Sequence, residues 1–203
     1  MENLFSAQDA YWQPNLKDAE LTYIPQFLSP QEADKLYARL YENIPWRQDP
    51  ITVFGKTYPQ PRLTSLHALN DLPYSYSGIQ MHPHPYTPEL SELQKKIGHH
   101  TPAPFTTVLL NLYRDGKDSN GWHADNEKEL GKNPVIASVS LGEKRFFHCK
   151  HRQDKNAKFK LELTHGSLLI MGGAMQHHWL HHIPKTARKI GPRINLTFRN
   201  IVC

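Results

Sequence analysis

The stretch GWHADNE sets His123 and Asp125 two residues apart. On an extended segment successive side chains point to opposite faces, so both groups leave the same face. An imidazole and a carboxylate held that close form two corners of a metal site. One more histidine would complete a two-His, one-carboxylate face, which suits Fe(II) and leaves three coordination positions open. The segment QHHWLHHIP offers four, at His177, His178, His181 and His182. On a strand His177 and His181 share one face while His178 and His182 share the other, so periodicity leaves the choice among them open.

A second constellation lies near the C-terminus, in RINLTFRN. Ile194, Leu196 and Phe198 alternate as a buried strand face should, and the opposite face carries Arg193, Asn195, Thr197 and Arg199. Turned to solvent, that face is unremarkable. Turned into a pocket, it describes a receptor for a small dianion, because guanidinium forks grip carboxylates bidentately through charge-assisted bonds. LLNLY can add an amide and a phenol, since Leu109, Asn111 and Tyr113 alternate against Leu110 and Leu112. A third constellation is basic and aromatic. CKHRQDKNAKFK and PKTARKIGPR carry Lys150, Arg152, Lys155, Lys158, Lys160, Lys185, Arg188 and Lys189 in expected loops. Such loops either follow a phosphate backbone, with salt-sensitive affinity, or form a solvated face. Phe54, Tyr58, Tyr74 and Tyr76 either stack on bases or pack.

Elements able to position these groups are legible. Ser29, Pro30 and Glu32 form a capping-box signature, followed by Ala33, Leu36, Tyr37, Leu40 and Tyr41 at helical spacing. A second helix is expected after Thr87-Pro88, with Leu90, Leu93 and Ile97 as its stripe and Gly98 as its stop. The Pro- and Tyr-rich stretch between them reads as hairpins and loops. From Phe105 onward FTTVLLNLY, VIASVSL, KRFFHC, FKLEL, SLLIM, HHWLHH and RINLTF are short runs between turn residues, the pattern of an antiparallel sandwich or barrel.

The totals bound the class. A chain of 203 residues with 38% hydrophobic residues is expected to fold as a single soluble domain. Its formal charge of +5 leans towards an anionic partner. Two cysteines, Cys149 and Cys203, give no disulfide framework, so a reducing, cytosol-like compartment is expected, nuclear in a eukaryote. No apolar run approaches the roughly 18 residues of a membrane span, and no signal peptide is visible.

Taken together, VFGK, PR, YSYSG, LNLYRDG, GWHADNE, IASVSLG, HGSLLIM, HHWLHHIP and PRINLTFR resemble the AlkB family of 2-oxoglutarate- and Fe(II)-dependent dioxygenases, and most closely its duplex-DNA repair branch. The resemblance runs from about Ile51 to Ile201. It implies a mainly β fold with flanking helices (α+β), built on a double-stranded β-helix or jelly roll. The chain then divides into an N-terminal extension with the capped helix (1–50), a nucleotide-recognition lid with the second helix (51–104) and the catalytic core (105–203). It selects His181 as the distal iron ligand beside His123 and Asp125. Arg193 and Arg199 would hold the two carboxylates of 2-oxoglutarate, helped by Asn111, Tyr113 and Asn195, with Thr197 in support.

The implied reaction consumes 2-oxoglutarate and O2, hydroxylates an N-methyl group on 1-methyladenine or 3-methylcytosine in DNA, and releases formaldehyde, succinate and CO2. Glu127 is the candidate for sensing the cationic lesion, Tyr74 and Tyr76 for pocket aromatics, and Arg62 for a basic lid residue. Phe54 is the candidate wedge that fills the gap when the base leaves the stack. The sequence departs from the family at Asn126, where relatives often carry a second acid, and in the short loop HRQDKNAKFK. A monomer is expected. The alternatives are the same core acting on RNA or protein methyl groups, a non-catalytic nucleic-acid-binding jelly roll, and a zinc hydrolase.

Overall fold

The computed structural model describes residues 11–53, 55–70, 74–76 and 79–201. Two sheets, antiparallel except for the short parallel pairing of the last two strands of the larger one, carry the fold. The major sheet has seven strands in the order β1 (Glu20–Ile24), β13 (Ser167–Gly172), β10 (Ile136–Gly142), β15 (Arg193–Arg199), β8 (Thr107–Tyr113), β4 (Leu63–Ala68) and β7 (His84–Pro85). The minor sheet has four, β12 (Lys158–Leu163), β11 (Arg145–His151), β14 (Trp179–Ile183) and β9 (Asn120–His123). Two ribbons, β2 (Pro50–Val53) with β3 (Lys56–Pro59) and β5 (Tyr74–Tyr76) with β6 (Ile79–Met81), stand apart from them. The mainly β jelly-roll expectation is borne out. The sequence pattern did not reveal β1, which pairs with β13 along its whole length.

Helix α1 (Pro30–Asn43) begins where its box predicts: the Ser29 hydroxyl accepts from the Glu32 amide at 3.3 Å, and the Glu32 carboxylate accepts from the Ser29 amide at 2.8 Å. Ala33 and Leu40 are buried, but Tyr41 is 45% exposed and stacks on Tyr37 instead of entering the core. Helix α2 (Pro88–Ile97) starts at its Thr87 cap and buries Leu90, Leu93 and Ile97.

The helices cover the outer face of the major sheet, packing on Val108, Leu110, Val139, Ile194, Leu196 and Phe198. A second core lies between the sheets, where Leu109, Ile136, Leu169 and Met171 meet Phe147, Cys149 and Trp179. Every residue of β15 is therefore buried. Its apolar face looks to the helices, so alternation turns Arg193, Asn195, Thr197 and Arg199 into the space between the sheets.

HHWLHH is not one strand. Gly173 at φ +57° turns the chain, and the His177 and His178 amides donate to Ala174 O, winding a short helix α3 (Met175–His178). The strand opens only at Trp179, so His177 and His178 leave the alternation that their spacing suggested. Among the described residues no helix is long and apolar enough to cross a membrane.

Candidate metal and diacid site

Strands β9 and β14 pair with His123 directly opposite His181, and the two rings meet edge to face at 4.3 Å between centroids. Asp125 follows just beyond β9, and the ligand atoms of His123, Asp125 and His181 lie within 4.8 Å of one another. His123 Nδ1 is 2.8 Å from the carbonyl oxygen of Gly121. That oxygen can only accept, so Nδ1 carries the proton and Nε2 presents a lone pair, as a metal ligand requires. His181 Nδ1 is buried without a hydrogen-bond partner among the described residues.

Electrostatics keep this cluster in its ligating state. Burial favours the neutral Asp125 carboxyl, but the Arg199 guanidinium, 2.8 Å away, with His123 and His181, holds it well below the usual carboxylate range. Burial, helped by His123, pushes His181 down to about 3, and burial also lowers His123. At neutral pH the trio is two neutral imidazoles and one carboxylate, a donor set that fits Fe(II). Gln176, which sequence reasoning missed, accepts the Asp125 backbone N–H at 2.9 Å and so ties the His123–Asp125 arm to the segment leading into β14.

Asn111, Tyr113, Arg193, Asn195, Thr197 and Arg199 line the same cavity as the trio. Tyr113 opposes Arg193 and Asn111 opposes Asn195 across β8 and β15. Arg193 is 1% exposed and donates through Nη2 to Ser140 Oγ at 2.9 Å, while Nε and Nη1 have no hydrogen-bond partner among the described residues. Its guanidinium lies 5.2 Å from the Tyr113 ring centroid, and no carboxylate pairs with it among the described residues. Burial pushes its pKa down to about 10, with the Tyr113 phenol opposing and Arg145 adding to the fall. A buried cation with free donors calls for an anion. A 2-oxoglutarate carboxylate fits.

Supporting contacts fix the floor. Asn195 Nδ2 donates to Ser138 Oγ at 2.8 Å, and the Thr197 hydroxyl donates to Asn195 Oδ1 at 3.1 Å. Ser138 and Ser140 were missed, although their alternation with Ala137, Val139 and Leu141 in VIASVSL was the available signal. Arg145 was missed as well. It donates to the Asp118 and Pro184 carbonyls at 2.9 and 2.6 Å and lies 5.6 Å from the Tyr113 ring centroid.

Of the expected substrate residues, the described side chains are those of Arg62 and Glu127. Arg62 is buried, and its Nε donates at 2.7 Å to Oδ1 of Asn111, which lines the cavity. Glu127 is half-buried at the head of a 3₁₀ turn (Lys128–Leu130), two residues beyond Asp125. Tyr74 and Tyr76 belong to β5, but their side chains lie outside what is described. Phe54 lies outside the described residues altogether.

Fold and site together define a jelly-roll protein with a two-histidine, one-carboxylate cluster in its cavity. Residues 20–199 match the 2OG-Fe(II) oxygenase superfamily, and the chain belongs to that family. The mouse alpha-ketoglutarate-dependent dioxygenase alkB homolog 3 is 42% identical over 186 residues, spanning 87% of this chain and 64% of that protein. The mouse DNA oxidative demethylase ALKBH2 is 35% identical over 181 residues, spanning 84% of this chain and 76% of that protein. The chain thus covers somewhat less than two thirds of the alkB homolog 3 length. A solved structure of OsALKBH1 has the same fold, with a TM-score of 0.66 at 17% identity over 93% of this chain and 99% of that one.

Proposed function

We propose that the chain is a 2-oxoglutarate- and Fe(II)-dependent dioxygenase that removes N-methyl groups from 1-methyladenine and 3-methylcytosine in DNA. The observation that carries the reading is a single cavity lined both by two neutral imidazoles with one carboxylate and by a buried, anion-hungry Arg193. The names of the mammalian relatives, a dioxygenase and a DNA oxidative demethylase, support it.

His123 Nε2, Asp125 and His181 hold the metal, and Arg199 keeps the Asp125 carboxylate ionised and aimed. Arg193 and Arg199 lie six residues apart on one strand, about 20 Å between their Cα atoms, and both line the cavity proposed to take the five-carbon diacid. Arg193 takes the distal carboxylate with Tyr113 and Asn195, Thr197 orients Asn195, and Arg199 lies near the carboxylate at the metal. Arg62 orients Asn111 at the floor. Iron bound there would supply O2 activation, coupled to oxidative decarboxylation of 2-oxoglutarate to succinate and CO2. One oxygen atom ends in succinate and the other in the methyl C–H bond. The resulting hydroxymethyl base then expels formaldehyde.

Glu127, Tyr74 and Tyr76 are proposed to receive the cationic base, and Phe54 to fill the stack it leaves. All ligand and diacid residues come from one chain, which suits a monomer. A buried free thiol at Cys149 and a ferrous site suit a reducing compartment, cytoplasmic or nuclear. The test is formaldehyde release from 1-methyladenine and 3-methylcytosine oligonucleotides, with Fe(II) and 2-oxoglutarate in air. Turnover that needs both cosubstrates supports the reading. Demethylation without O2 or 2-oxoglutarate, releasing methanol in place of formaldehyde, points to a metal hydrolase instead, and activity only on methylated protein or RNA relocates the substrate.

A further inference from the structure

The lysine runs of the third constellation do not all lie in loops. Lys158 and Lys160 belong to β12 and Lys150 to β11, where register sets Lys158 opposite Lys150, Lys160 opposite His148 and Glu162 opposite Phe146. His148 in turn opposes His182 on β14. These residues share one face of the minor sheet, because opposed residues on paired strands point the same way, and His182 also borders the cavity.

That face carries a connected ladder of rings and ammonium groups. Trp122 on β9 stacks on His182 at 3.8 Å, with Lys150 Nζ 4.3 Å from the Trp122 centroid. His182 meets His148 at 5.2 Å, His148 meets Phe146 at 6.4 Å, and Lys160 Nζ lies 5.0 Å from the Phe146 centroid. Trp122 is 42% and Phe146 39% exposed, so both rings are open to a ligand. The acid on this face, Glu162, is paired with Lys144 at 3.1 Å, so the ladder keeps a positive balance. Trp122 also immediately precedes the metal-ligand candidate His123, on the edge strand of its sheet.

Resting on the nucleic-acid reading above, we propose that this face is a stacking platform for single-stranded nucleic acid flanking the modified base. Exposed rings between cations match a strand whose base faces are free and whose backbone is anionic. A duplex hides its base faces inside its own stack and offers only phosphates and groove edges. The ladder crosses four strands, about 14 Å, room for a few nucleotides. In the strand-free protein the flexible Lys150 ammonium lies over the Trp122 ring; on binding it swings to a phosphate and a base takes its place.

The test uses the full chain and a labelled, unmethylated oligothymidylate, without iron or 2-oxoglutarate, read by fluorescence anisotropy. Trp122→Ala and Phe146→Ala are each expected to weaken single-strand binding about tenfold. Lys150→Gln and Lys160→Gln should each lower the slope of log affinity against log salt by about 0.7. Trp122→Phe and Phe146→Tyr should restore binding, which separates stacking from misfolding. The same oligomer annealed to its complement should show no ring-dependent loss. Single-strand affinity within twofold of wild type in both alanine variants, or an equal loss on duplex, overturns the platform. Ring-dependent binding by a protein that releases no formaldehyde from any methylated base would sustain the platform and overturn the enzymatic reading alone.

Discussion

Replacing Arg193 by Met should make the ligand-free protein more stable while abolishing its response to 2-oxoglutarate. Arg193 is buried with one side-chain hydrogen bond, to Ser140, and no acidic partner among the described residues. Burial lowers its pKa to about 10, between two and three powers of ten in proton affinity, each worth about 1.4 kcal/mol. The charge therefore costs about 3 kcal/mol, carried in full at any pH below the folded value and relieved only as pH rises through it. Met keeps the apolar stem against Tyr113 and leaves the Ser140 hydroxyl without its donor, an offset of about 1 kcal/mol. The net expectation is about 2 kcal/mol of added stability, or roughly 4–8 °C in Tm for a chain of this size. Conversely, 2-oxoglutarate at a hundred times its Kd should stabilise the wild type by about 2.7 kcal/mol and leave the variant unmoved. Differential scanning calorimetry of the anaerobic Mn(II) protein, with and without the diacid, reads both effects. A variant less stable than wild type, or one still stabilised by the diacid, would show that Arg193 is already satisfied or lies elsewhere in the function.

His123→Ala or Asp125→Ala should abolish formaldehyde release while leaving strand binding intact; unchanged turnover in either refutes the metal assignment. Because the folded pKa of His181 lies near 3, below the ordinary value, the unfolded chain binds more protons as pH falls. The metal-free protein should thus lose stability from about pH 6.5 downward, by about 2 kcal/mol at pH 5 through this residue. His181→Phe should flatten that part of a urea-melt series, and an unaltered profile would contradict it. Gln176→Ala should weaken Co(II) binding about tenfold by freeing the Asp125 backbone, followed in the visible spectrum; equal affinity would remove Gln176 from the site. Phe54→Ala should slow repair of duplex more than of single strands, and an equal loss on both would remove the wedge.

Much of this protein is local chemistry, and local chemistry is written in the chain. The capping box of α1, the Thr87 cap of α2 and the alternation of β8, β10 and β15 follow from propensity and period alone. So does the segregation of Arg193, Asn195, Thr197 and Arg199 onto one face, although alternation cannot say what that face meets. Only the packing of helices on the opposite side turns it inward. Among the clustered histidines, a glycine turn and a short helix remove His177 and His178 from the strand, and cross-strand register then sets His181 opposite His123. Arg62 under Asn111, Gln176 on the Asp125 backbone and β1 beside β13 are likewise contacts between distant segments. No window of sequence contains both partners of such a contact, so only the closed fold could decide it.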